Sequence, residues 1–89
     1  MKKQEFNEIV KEGINRGREF MVVKIRTEGN AGPEIIVNGS ENFQQKLAYY
    51  DKAYNDNMEL IKAKEAGKLI TIEDVLVTNN LAELNWFVY

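Results

Sequence analysis

The chain contains no cysteine and no histidine. The first absence excludes disulfides, thiolate-bound metals and thiol redox chemistry, and it fits a reducing compartment. The second removes serine-histidine and cysteine-histidine catalysis, histidine-ligated metals and a histidine pH switch. Ser40 is the only serine and Pro33 the only proline. Purely apolar runs extend over only a few residues, against the roughly 20 needed to span a bilayer. The charged start, Met1 to Glu5, has no apolar signal-peptide core. The expected location is cytoplasmic. Net charge is small as well, with 12 basic against 14 acidic side chains and a net of −2. That balance argues against nucleic acid as a partner and is too weak for a DNA mimic.

What is present is 89 residues, 44% of them hydrophobic, enough for one domain spanning residues 1–89. A chain of this size buries roughly 60–65% of the surface its unfolded form exposes, so its stability is expected to be modest.

Apolar residues Phe6, Ile9, Val10 and Ile14 fall three or four apart from Lys3 to about Gly17, predicting a short amphipathic helix. Gly13 weakens that helix and Gly17 is a natural stop. Arg18 to Thr27 predicts a strand with Met21, Val23 and Ile25 on one side and Phe20, Val22, Lys24 and Arg26 on the other. Glu28 to Pro33 reads as a hairpin loop before a second strand, Glu34 to Asn38. Ser40 or Asn42 is placed to cap a helix, and Asn42 with Gln45 resembles a capping box.

Phe43, Leu47, Tyr50, Tyr54, Met58 and Ile61 are spaced 4, 3, 4, 4, 3. This predicts one long helix from about Glu41 to Ala66, roughly 35–40 Å in length. Such a helix is longer than the domain needs, so one end is expected to project or to meet a partner. Gly67 fits the position just past its end, beside Lys62, Lys64 and Lys68. Leu69 to Thr78 predicts a third strand, bulged or bent at Glu73-Asp74, and the final residues predict a helical turn followed by a short strand or docked aromatic tail. The order α-β-β-α-β gives an α+β fold: a three-stranded, mainly antiparallel sheet of order 2-1-3, packed on one face by one long and one short helix.

Several constellations resemble sites. Asp51, Asn55, Asp56 and Asn57 suggest calcium, but no central glycine interrupts the run and a solvated helical face explains it. Ala66 to Thr71 brushes against a phosphate loop but lacks the upstream glycine and follows a helix rather than a strand. Gly29 to Gly32 is explained by the hairpin loop. Glu73 and Asp74 are adjacent, so on a regular strand they point to opposite faces and form no acid-base pair, unless a bulge turns them. No catalytic residue, metal ligand or cofactor emerges, and the chain reads as a non-enzyme.

Three features remain as candidates for binding. Tyr49 lies off the helical stripe and offers a rigid surface anchor for a protein partner, whereas Tyr50 and Tyr54 read as core. Trp86, Phe87 and Tyr89 crowd the last four residues and are costly to leave wet, so they dock on the sheet, form a homodimer contact or insert into a partner. Arg16, Arg18, Lys24 and Arg26 give the stretch up to Pro33 seven basic against five acidic residues. That is suited to steering a charged partner or holding a charged ligand, though scattered surface charge is the plainer reading.

The segments Pro33 to Asn38, Glu41 to Tyr50 and Lys52 to Asp56 resemble small accessory proteins encoded by phages and prophages of Gram-positive bacteria. The resemblance implies action in the cytoplasm of a bacterial host cell and carries no catalytic residues with it. The leading expectation is a protein-protein interaction module that modulates a host or defence factor. The alternative is a homo-oligomer that sequesters a nucleotide or other small ligand, with tyrosines stacking and the four cations holding phosphate.

Overall fold

The computed structural model describes residues 1–88. Tyr89, one of the aromatic candidates, lies outside them. Helix α1, Lys3–Asn15, buries Phe6 and Val10, the stripe its spacing predicts. It ends at Gly17, whose φ of 70° suits a residue with no Cβ. The amide of Gly17 donates to Ile14 and that of Arg18 to Gly13, which satisfies the last carbonyls.

Strands β1, Phe20–Thr27, β2, Glu34–Gly39, and β3, Ile70–Thr78, form one sheet of order β2-β1-β3. Both pairings are antiparallel, so the α+β fold and the central, antiparallel first strand expected from sequence are the observed ones. β1 begins two residues later than expected, because Arg18 closes the helix stop and the Glu19 amide is taken by Asn79 Oδ1 at 2.7 Å. A register shift lies between Lys24 and Ile25, whose partners are Asp74 and Ile72. Glu73 is therefore the extra residue of a bulge where one was expected.

The expected long helix is two short ones. Helix α2 spans Phe43–Ala53 and helix α3 spans Ile61–Glu65. The cause is local hydrogen bonding at Asn55, which competes with the helical ladder. Its Oδ1 accepts from the amides of Asn57 at 3.0 Å and Glu59 at 2.9 Å. The chain reverses there, with Met58 at φ 57° and a backbone bridge between Tyr54 and Leu60. Tyr54 and Met58 are both buried: a four-residue spacing serves the turn as well as it would serve a helix. Asn42 precedes α2 after a 3₁₀ turn, Ser40–Asn42, without a side-chain cap, so the capping box is not formed.

Met21, Val23 and Ile25 join Phe6, Val10, Phe43, Tyr50, Tyr54, Met58, Ile72 and Val75 in one core between the helices and the sheet. Helices were expected on one face only, yet Val22, on the reverse face, is also fully buried. The C-terminal segment accounts for this. A 3₁₀ turn, Leu81–Glu83, leads into helix α4, Leu84–Phe87, where a helical turn and then a short strand or docked aromatic tail were expected. Phe87 is buried, and Lys24 on the reverse face donates to its carbonyl at 3.2 Å. Thr78 on that face donates to Glu83 at 2.5 Å, fastening the segment at its start.

Candidate interaction site

Breaking the long helix creates a groove that a continuous helix would not have. α3 turns back beside α2 and leaves a cleft of about 520 Å³, within the range of small binding pockets. Tyr49, Ala53, Leu60 and Ile61 supply its apolar surface, and Lys52, Lys62 and Glu65 its charged rim. Ile61, expected on the buried stripe, is exposed here.

Tyr49 is 51% exposed and is held by neighbours on three sides. Its ring packs edge-on against Tyr50 and Tyr54, with centroids 5.4 and 6.3 Å away, and the Lys46 ammonium sits 5.9 Å from its centroid. A rigid, half-exposed tyrosine loses little freedom on binding. Behind it, burial raises the hydroxyl pKa of Tyr50, and the Tyr54 hydroxyl is pushed up to about 12 by burial, aided by Tyr49, Tyr50 and Glu34. Both therefore stay neutral throughout the physiological range.

The aromatic C-terminus divides. Phe87 is buried on the sheet beneath the Lys24 ammonium, 5.7 Å from its ring centroid. Trp86 packs edge-on against Phe87 but remains 60% exposed. It lies on the sheet face opposite α2, so Tyr49 and Trp86 belong to separate surfaces.

The four candidate cations do not converge. Arg16 pairs with Glu12 at 2.8 Å, both exposed. Arg18 lies beside Arg16 in a shallow groove at the end of α1. Lys24 is committed to Phe87. Arg26 grips Glu73 with two bonds, Nε to Oε1 at 2.7 Å and Nη2 to Oε2 at 3.3 Å. This fork holds the Glu73 carboxyl below, and the Arg26 guanidinium above, their ordinary values. Glu73 is thereby a structural partner, while Asp74 Oδ1 accepts from the Val75 amide at 2.8 Å. The bulge leaves the two carboxylates on different partners, Glu73 on Arg26 and Asp74 on the Val75 amide.

Around Asn55 the acidic and amide side chains also bind one another. Glu59 accepts from Lys64 at 2.8 Å and from Asn55 Nδ2 at 2.9 Å, which holds its carboxyl below the usual range. Among the described residues no group of three or more acidic side chains is gathered to hold a metal ion, and no helix is long and apolar enough to cross a membrane.

The cleft was not read from sequence, because a continuous helix has no inside corner. The signal for it was Asn55-Asp56-Asn57, three turn-forming residues in a row. No known family model, no curated protein sequence and no solved structure matches this chain.

Proposed function

We propose that the protein is a non-enzymatic interaction module whose cleft between α2 and α3 receives a segment of a protein partner. The observation that carries this reading is the cleft itself, with its apolar floor, its half-exposed Tyr49 and the two lysines on its rim. That chemistry fits a segment presenting one or two apolar side chains flanked by carboxylates. The likeness of residues 33–58 to phage and prophage accessory proteins supports a setting in a bacterial host cell, with a host or defence factor as partner. The nucleotide-sequestering alternative has less support, since two of its four phosphate-binding candidates are engaged by Phe87 and Glu73.

Affinity isolation from host cells with the intact protein, the Ile61→Asp variant and the Trp86→Ala variant tests the reading. A specific partner is expected to be retained by the intact chain and by Trp86→Ala and lost by Ile61→Asp. Amide chemical shifts are then expected to move around Tyr49 and Ile61 on titration with that partner. Equal retention by Ile61→Asp, or shifts confined to another surface, overturns it.

A further inference from the structure

The two edges of the sheet are treated differently. Along β3, the amide of Leu60 donates to Ile70, that of Ile72 donates to Met58, the bulge interrupts the strand, and Asp74 occupies the Val75 amide. These devices block an edge against a further strand. β2 has none of them. Its pairing with β1 runs without interruption from Glu34 to Gly39, and the strand contains no lysine, proline or bulge. Among the described residues, no backbone hydrogen bond from a loop or turn reaches residues 34–38. Val37 on this strand is 45% exposed.

We infer that β2 pairs antiparallel with β2 of a second copy of this chain, with Ile36 on the two-fold axis, joining two sheets into one of six strands. The sequence of the strand is self-complementary in that register. Ile36 faces Ile36 of the second copy, and Ile35 faces Val37 on the reverse side of the sheet, so apolar meets apolar at the three central positions. Glu34 of the second copy falls opposite Asn38. Asn38 is only 5% exposed, and its amide nitrogen has no hydrogen-bond partner among the described residues. The Asn38 side chain faces the Tyr50 hydroxyl on the core side of the sheet. The Glu34–Asn38 pairing places a polar pair at each end of the apolar centre, twice by the two-fold. A six-residue strand pair is a small interface, so the dimer is expected to be micromolar rather than permanent.

Because the chain lacks cysteine, one introduced cysteine reports the register. Ile36→Cys is expected to oxidise to a disulfide-linked dimer, since directly opposed strand residues sit at disulfide distance. Ile35→Cys and Val37→Cys, each two residues out of register with its own copy, are expected to remain monomeric under the same oxidant. Sedimentation equilibrium of the cysteine-free chain is expected to show a reversible dimer, weakened about tenfold or more by Val37→Lys, which replaces the Ile35–Val37 contact twice. Val37 is exposed, so this variant keeps the fold, checked by circular dichroism. A chain that sediments as a monomer up to millimolar concentration overturns the inference. So does a dimer that is unaffected by Val37→Lys or that cross-links through position 35 or 37 in preference to 36. Neither outcome bears on the cleft, which lies on other residues.

Discussion

The Lys3 ammonium donates to the carbonyl of Tyr54 at 2.6 Å and to that of Asp51 at 2.7 Å. A cation from the first turn of α1 thus closes the negative end of α2, where carbonyls are left without helical donors. The Lys3 amide also donates to Asp56 at 2.9 Å, so both ends of this residue hold the turn that splits the expected helix. Lys3→Met keeps the aliphatic stem and removes the charge. It is expected to lower stability by about 1–2 kcal/mol in urea denaturation, whereas Lys2→Met, in which only the exposed Lys2–Asn57 hydrogen bond is lost, is expected to cost less. Equal effects of the two would show that the carbonyl contacts contribute nothing.

The reversal at Asn55 makes its own prediction. Asn55→Ala deletes the two bonds its oxygen accepts and the one its nitrogen donates to Glu59. The turn is expected to loosen, with a cost of about 1–2 kcal/mol. Hydrogen exchange locates the effect: amides of Asn57 and Glu59 are expected to lose protection while those of β1 follow only the global change. The cleft walls rest on this turn, so the same variant is expected to weaken partner binding.

These two residues also show why part of the architecture was legible and part was not. Met21, Val23 and Ile25 alternate with Val22 and Lys24, and that period-two pattern specifies a strand without reference to anything distant. Gly17 and Gly67 stop their helices at φ 70° and 80°, a local requirement that a sequence states directly. Asn55 is different, because its effect depends on side-chain bonds that outweigh a run of good helix formers on either side. Phe87 is different again. Its burial depends on a sheet face that exists only after residues from three strands have met, so composition alone left the choice between core and partner contact open. Tyr49 could be assigned to the surface from its phase on the stripe; the cleft beside it could not.

At Gly13, α1 lies directly against Val77 of the sheet. A Cβ placed on it would lie 2.2 Å from Val77 Cγ1 and 2.6 Å from Val77 Cβ. Glycine inside a helix costs about 1 kcal/mol relative to alanine, so Gly13→Ala gains that much locally and loses more through overlap with a packed strand. The net expected change is a destabilisation of about 1–2 kcal/mol. The double variant Gly13→Ala, Val77→Ala is expected to recover part of it, giving a coupling energy that a cycle of urea unfolding measurements reads directly. Additive effects would separate the two residues.

The Arg26–Glu73 fork sets an acid limb. Glu73 titrates below its ordinary value in the folded chain, so its contribution is complete above the unfolded value and is lost as pH falls through the folded one. Glu59, lowered by Lys64 and Asn55, acts in the same direction. Stability is therefore expected to fall as the solution is acidified below the normal carboxylate range. Arg26→Ala is expected to return the Glu73 titration, followed by carboxyl NMR, toward its ordinary position and to flatten that limb. Since both side chains are more than a third exposed, the change at neutral pH is expected to be small.

The alkaline limb belongs to Tyr54. Its side chain is 4% exposed, and its hydroxyl is pushed up from an ordinary 10.0 to about 12. Between those values the folded state holds a proton that the unfolded state releases, so stability is fully present below pH 10 and declines as pH rises through about 12. The loss amounts to about 2–3 kcal/mol if the chain stays folded across that range. Absorbance near the tyrosinate band is expected to show a late-titrating component that disappears in Tyr54→Phe. In the same variant, Tyr49 loses one of the hydroxyls beside it, and the midpoint of alkaline unfolding is expected to move upward. A Tyr54→Phe chain with the alkaline limb of the intact protein would assign that limb to Tyr50, the other tyrosine whose hydroxyl burial raises.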